Sequence, residues 1–293
     1  MRIKHHKNRN SYILTSDGIW IRDFTKEFVS SIDISGLTKE MDYKLFLENE
    51  LANRKLNTPN IDSENFFHPH VLIVSDGHDF QDKHRLLSSM PSHVTIIAVN
   101  GALAKWELVG PACRSEDKRS IDYYVVNNPF VECVQYIPKK NRYYPKCIAS
   151  IRTNPNFTRI YNAKGTLHNY TPTPSDGFKG LSDDAIYCID DYRSPVCAAL
   201  ALAARFGAEK IAFLCCDESF PDERPAAIKL PNGLYTYPQH LVSQGVIDAN
   251  LHWMTKYEDR DVTIVDSSSG AEYSNACYIK PDKLMAFFEG QDD

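Results

Sequence analysis

The stretch from Val71 to Gly101 constrains this chain more than any other. VLIVSDGHD opens with four apolar residues and then turns abruptly polar. VTIIAVNG, starting at Val94, repeats the pattern and ends on a glycine. Apolar, β-branched runs bounded by turn residues read as buried strands. LLSSMPSH between them predicts a short helical or turn segment. Two strands joined this way form a βαβ unit, so the polar tips are the carboxyl ends of parallel strands, where open α/β sheets bind ligands.

Later segments extend the pattern. IDYYVVNNP predicts a strand ending at Asn127-Asn128-Pro129, and KCIASIRTNP another with Arg152, Thr153 and Asn154 at its end. AEKIAFLCCDESF and DVTIVDSSSG add strands tipped by Asp217-Glu218 and by Asp266 with three serines. ALAKWELVG and QGVIDANLHWMTKYEDR predict helices. SPVCAALALAARFG is the clearest helix, with Ser194 to cap it, Pro195 in its first turn and Gly207 to end it. The expected fold class is therefore α/β, a Rossmann-like, mostly parallel sheet with helices on both faces. Residues 1–69 read as an N-terminal extension: a hairpin turning at Ser16-Asp17-Gly18, a helix over 42–56 outside the sheet, and a linker from Asn57 to Pro69. Residues 70–293 read as the nucleotide-binding domain.

Composition narrows the function classes. A hydrophobic content of 43% in 293 residues supports a large core. The net charge of -5 removes the main compositional argument for nucleic acid. No run of 18 apolar residues predicts a membrane span, and the basic start MRIKHHKNRN lacks the apolar core of a secretory signal, so the expected location is cytoplasmic. The adjacent His5-His6 read as part of a basic tail. Eight cysteines are too sparse for a disulfide framework, and Cys215-Cys216 read as buried strand residues.

The polar tips supply the candidate chemistry. Ser75, Asp76, Gly77, Asn100, Gly101, Asn127 and Asn128 form the expected nucleotide site, with Ser194 at the start of its helix. Asparagine offers both a donor and an acceptor to a base or ribose. Backbone N–H groups near Gly77 and at a helix start can hold a phosphate. Asp76, Asp79, Asp217 and Asp266 are possible oxygen ligands for Mg2+, and Asp76 with Asp217 form the pair a diphosphokinase would need. His78 follows Gly77 and can reach a phosphate. His168, Tyr170 and His240 are the candidate catalytic residues, because the aperiodic segments 162–179 and 231–240 read as loops overhanging the site. Tyr143, Tyr144, Tyr235 and Tyr237 enrich the same loops. GxGxxG, GxxxxGK[ST] and GxSxG are all absent.

VLIVSDGHDF, IIAVNGALAKWEL, IDYYVVNNP and SPVCAALALAARFGAEKIAFLCCDESF, in that order, resemble the MptE-like family, named for an archaeal 6-hydroxymethylpterin pyrophosphokinase. More distantly they resemble the bacterial single-domain sialyltransferases. The resemblance covers Val71 to Asp217. It implies a nucleotide or nucleotide sugar bound at the strand tips and a small-molecule or glycan acceptor. In those families a GxGPSL-like turn lies under the phosphates; SDGHDF stands there, keeping Gly77 but not the proline and serine. Asn100 resembles the nucleotide-contacting residue of the sialyltransferases, and Asn127-Asn128-Pro129 their Asn-Pro segment. His168 and Tyr170 are candidates for their catalytic pair. The acidic pair expected of a pyrophosphokinase near the third tip is missing. Glycosyl transfer from a nucleotide sugar is thus the first expectation. A magnesium-dependent diphosphokinase is the second and a non-catalytic nucleotide-binding module the third.

Overall fold

The computed structural model describes residues 3–5, 11–14, 20–23, 41–59, 61, 67–109, 120–139, 144–172, 188–189, 194–216, 219–225, 227–230, 233–236, 247, 251, 262–268, 273 and 275–290. Near the N-terminus β1 (Ile3–His5), β2 (Ser11–Leu14) and β3 (Trp20–Asp23) make a small antiparallel sheet. Leu14 pairs with Trp20, as a hairpin requires; its turn at 16–18 lies outside the described residues. Helix α1 (Met41–Arg54) follows.

The main sheet starts with β4 (His70–Val74), α2 (Phe80–Ser89), β5 (Thr95–Val99), α3 (Ala102–Val109) and β6 (Tyr123–Val126). A 3-10 turn over Val131–Tyr136 leads to β7 (Lys146–Ser150), α4 (Pro155–Asn162), β8 (Leu167–Pro172) and β9 (Cys188–Ile189). Then come α5 (Pro195–Arg205), β10 (Lys210–Leu214), the hairpin strands β11 (Ile228–Lys229) and β12 (Tyr235–Thr236), β13 (Thr263–Asp266), β14 (Cys277–Tyr278) and α6 (Leu284–Glu289). Nine strands form one sheet in the order β14-β13-β10-β4-β5-β6-β7-β8-β9. Every pairing in it is parallel. The described residues of the tips named above therefore share one edge.

Alternate residues of each strand feed two cores, as the period of two demands. Val71, Ile73, Ile97, Val99, Val125 and Ile211 pack with α5 on one face. Leu72, Val74, Ile96, Ala98, Tyr124 and Val126 pack with α2, α3, α4 and α6 on the other. The α/β class with helices on both faces is what the structure has. Helix α5 crosses β4, β5 and β6, and its alanines let it approach closely. Ser194 caps it, Oγ accepting from Cys197 N at 3.4 Å, and Gly207 leaves it at φ 74°, a conformation glycine adopts at no steric cost. Leu200 and Leu202 are fully buried there, each worth roughly 1.5–3 kcal/mol of transfer free energy.

Two expectations need correcting. Helix α2 begins ten residues before Met90 rather than at Leu86, because Phe80 and Leu87 share its buried face. The segment read as an aperiodic lid over 162–179 contains β8, and the residues just before it form α4. Helix α4 had a legible start. Asn154 Oδ1 accepts from Asn156 N at 3.0 Å, Pro155 sits in the first turn, and Phe157, Thr158 and Tyr161 face inward. The segment between Asn57 and Pro69 does more than link. Asn169 N donates to Pro59 O at 2.9 Å, Ile61 N donates to Asn169 O at 3.1 Å, and Ile61 is buried in the α5-side core. It covers part of the β8 edge, where a bare strand would invite pairing with another chain. The helix expected over 244–260 has only Ile247 and Leu251 described, both helical and buried.

Candidate functional site

The tips fall into two sets. At β4, Ser75 N donates to Leu214 O and Gly77 N to Cys215 O, both at 3.1 Å, so the β4 and β10 tips continue the ladder beyond their strands. The Gly77 N–H is thus spent within the protein. Cys215 takes φ 57° in that turn, and burial pushes its thiol well up, with the Asp79 carboxylate adding to the effect. Lys83 reaches Asp79 at 2.5 Å and donates to Ser267 O at 2.7 Å, tying α2 to the β13 tip. Asp266 Oδ1 accepts from Ser268 N at 2.9 Å, and Ser268 Oγ accepts from Cys216 N at 2.9 Å. Tyr273 donates to Cys216 O at 2.6 Å. Asp266 is a turn former here, and both adjacent cysteines are buried.

The β5 and β6 tips differ. Asn100 holds φ 42°, a left-handed conformation that asparagine tolerates at a cost of order 1–3 kcal/mol. Its N–H donates to Val125 O at 3.0 Å, and its carbonyl accepts from Tyr124 Oη at 2.6 Å. Burial first, then neighbouring thiols and phenols, holds Tyr124 protonated far above its ordinary range. With the backbone clamped, the buried Asn100 Oδ1 is left without a partner. One strand over, Asn127 Nδ2 is likewise buried and unpartnered. Native proteins rarely leave such groups unpaired, and those that persist call for an explanation such as a ligand. Asn128, next in sequence, is satisfied. Its Oδ1 accepts from Phe130 N at 2.9 Å, and its Nδ2 donates to Tyr136 Oη at 3.4 Å.

Asp76 leans from the β4 tip toward these residues. A Cβ on Gly101 would overlap the Asp76 carboxylate where it now stands, so any larger residue at the start of α3 must push that side chain aside. The amino-terminal end of that helix favours the negative charge. Lys105 donates to Asp76 O and stands 3.9 Å from its Oδ2. Tyr136 lies within reach of the same charge. Burial, then the Asp76 carboxylate, raises its pKa, so it remains a hydroxyl donor. Tyr136 was missed in the sequence because it follows no strand. Its signal is only an aromatic residue shortly after the Asn-Asn-Pro tip.

The remaining candidates scatter. Tyr170 is fully buried in the α5-side core rather than standing at the carboxyl edge. Its segment is a strand rather than a loop, and alternation turns that side chain inward. His168 stands in the same strand opposite Ile148, in the body of the sheet rather than at its edge. His240, Tyr143, Tyr237 and Asp217 lie outside the described residues. Tyr235 is in β12, which bridges to Phe220 beyond the β10 tip. Ser194 is buried and occupied in capping. Among the described residues, no three His, Cys, Asp or Glu side chains come together as a metal site, and no helix is long and apolar enough to cross a membrane.

Comparison with solved structures adds a relationship of fold. The fold is similar to that of the MAf glycosyltransferase from Magnetospirillum magneticum AMB-1, with a TM-score of 0.59 and 14% sequence identity. The likeness covers 83% of this chain and 39% of that one, so the chain spans well under half the length of that protein. At this identity the likeness is one of fold. No protein-family model and no curated protein sequence matches the chain.

Proposed function

We propose that this chain is a transferase that moves a glycosyl group from a nucleotide sugar, with its nucleotide held at the β5 and β6 tips. One observation carries the proposal: an unpaired acceptor, Asn100 Oδ1, and an unpaired donor, Asn127 Nδ2, are buried on neighbouring tips of the ligand-binding edge. A base edge or a ribose diol presents the complementary donor and acceptor together. Lys105, whose ammonium donates to Asp76 O at the adjoining β4 tip, is the cation offered to the phosphate, the part the Gly77 N–H was expected to play. The likeness in fold to a glycosyltransferase supports sugar transfer as the chemistry.

The reaction is a displacement at the anomeric carbon. The acceptor oxygen bonds to that carbon as the bond to the phosphate oxygen breaks. The acceptor proton passes to a base, and the nucleotide leaves with the bonding pair. His78, in the β4–α2 turn, is the histidine at this edge among the described residues. The diphosphokinase reading needs Asp76 and Asp217 to share Mg2+. It stands second, because the acidic pair expected near the third tip is missing from the sequence.

Isothermal titration with CMP, UMP and ATP, each with EDTA or magnesium, tests the choice. Metal-independent binding of CMP or UMP is the expected result. Strictly magnesium-dependent ATP binding would hand the site to the diphosphokinase reading, and no binding of any of the three would overturn both.

A further inference from the structure

We infer that helix α1, from the N-terminal extension, is a working part of the nucleotide site, and that Asn49 and Asn53 are its positioning residues. The inference rests on the site proposed above and concerns what holds it in shape.

The observation is a set of side-chain amides that staple two strand tips together. Asn49 Nδ2 donates to Pro129 O at 2.9 Å and to Arg152 O at 3.0 Å, so one amide bridges the β6 and β7 tips. Asn53 Nδ2 donates to Ile151 O at 2.8 Å and to Thr153 O at 2.7 Å, while its Oδ1 accepts from Thr158 Oγ1 at 2.6 Å. Between them Glu50 is fully buried and meets Arg54 at 2.9 Å and Arg152 at 3.7 Å. Asn49, Glu50 and Asn53 fall on one face of the helix by their spacing of three and four. Apart from Phe46 that buried stripe is polar, whereas a helix that merely packs on a sheet presents an apolar one.

The contacts go where positioning matters. The tip residues leave the ladder after Val126 and Ser150, and their carbonyls need new partners. The two tips are also tied directly, Thr153 Oγ1 to Val126 O at 3.0 Å and Asn154 N to Asn128 O at 3.1 Å. Pro129 O, held by Asn49, follows Asn127 by two residues. A shift of α1 therefore moves the backbone that aims the unpaired Asn127 amide. A site loose by an ångström loses much of its affinity.

The test compares Asn49→Ala with Glu48→Ala, a neighbour whose side chain is exposed on the same helix. CMP, UMP and ATP are titrated against each folded protein well below its melting temperature. The expected result is roughly tenfold weaker binding for Asn49→Ala, the loss of two hydrogen bonds' worth of order, and wild-type affinity for Glu48→Ala. Should Asn49→Ala fail to fold, Asn49→Ser is read in its place. A lowered melting temperature with unchanged affinity overturns the inference alone, leaving α1 a structural brace, and so does failure of both variants to fold. If wild type binds none of the three probes, the proposed site falls and takes this inference with it.

Discussion

The tips of β4, β10 and β13 share an edge with those of β5 and β6, and the two sets handle their polar groups in opposite ways. In the first set the groups are tied to one another: backbone to backbone between β4 and β10, Lys83 to Asp79 and Ser267, Ser268 to Cys216. In the second, Asn100 Oδ1 and Asn127 Nδ2 are buried and unpaired. The strand order reverses between β4 and β10, the usual crevice for a ligand in such sheets. Here hydrogen bonds run across that crevice from tip to tip. The lesson is that the topological rule picks the edge, and hydrogen-bond satisfaction picks the place along it.

The closed side should break hardest. Lys83→Met leaves the Asp79 carboxylate, 8% exposed, without its cation. Removing one partner of a buried pair costs about 3–5 kcal/mol. Urea unfolding should show that loss, with the nucleotide affinity of the folded protein unchanged. A matching drop in affinity would erase the distinction between the two sets.

On the open side the effect should fall on binding. Asn100→Ala should lose roughly 1–3 kcal/mol of nucleotide affinity, the cost of leaving buried ligand groups unpaired. Asn100→Asp should bind more weakly still if the residue faces the phosphate. Asn100→Gly removes the amide while relieving the left-handed backbone, so it should lose affinity and keep or gain stability. Calorimetric titration beside thermal melts separates these effects. Equal affinity in all three variants would remove Asn100 from the site.

Gly101→Ala probes the seam between the sets. Its Cβ must displace the Asp76 carboxylate, costing about 1–2 kcal/mol in stability. Pairing it with Asp76→Ser should recover most of that loss, as neighbours that share one clash do not add. Additive losses in denaturant melts would show that the two side chains do not meet.

The smallest effect belongs to the opposite edge. Burial lowers the pKa of His68, which lies 3.0 Å from Tyr123 Oη. The Asp122 carboxylate opposes that shift and Lys146 adds to it. The folded protein then binds fewer protons than the unfolded chain. The His68 contribution is intact above the ordinary value of 6.5 and is lost as pH falls below it. Melting temperatures from pH 8 to 5 should fall less steeply for His68→Gln than for wild type, with nucleotide affinity at pH 8 the same in both.

Much of the fold was legible because its signals are local. VLIV, TIIAV and YYVV are apolar runs closed by Ser, Asn or Pro, and each is a parallel strand with its polar residue at the tip. Ser194, Pro195 and Gly207 marked the ends of α5 for the same reason. The misses are segments whose pattern is mixed. LHNYTP looks like loop because its polar residues, His168 on one face and Asn169 and Thr171 on the other, blur the alternation of a half-buried strand. PNFTRIYN is too short for a clear helical period, although Asn154 and Pro155 announced its start.

The site divides along the same line. Residue types and turn chemistry put asparagines, aspartates and glycines at the tips, and that much follows from the sequence alone. Whether a tip group is spent or open depends on partners far away along the chain: Asn49 with Arg152, Lys83 with Ser267, Cys216 with Ser268. Asn127 and Asn128 are identical neighbours in the sequence. Folding gives Asn128 a turn N–H and a tyrosine hydroxyl to bond, and leaves the buried Asn127 Nδ2 with none. A hydrogen bond is set by distance and direction in space, so only the tertiary structure could tell them apart.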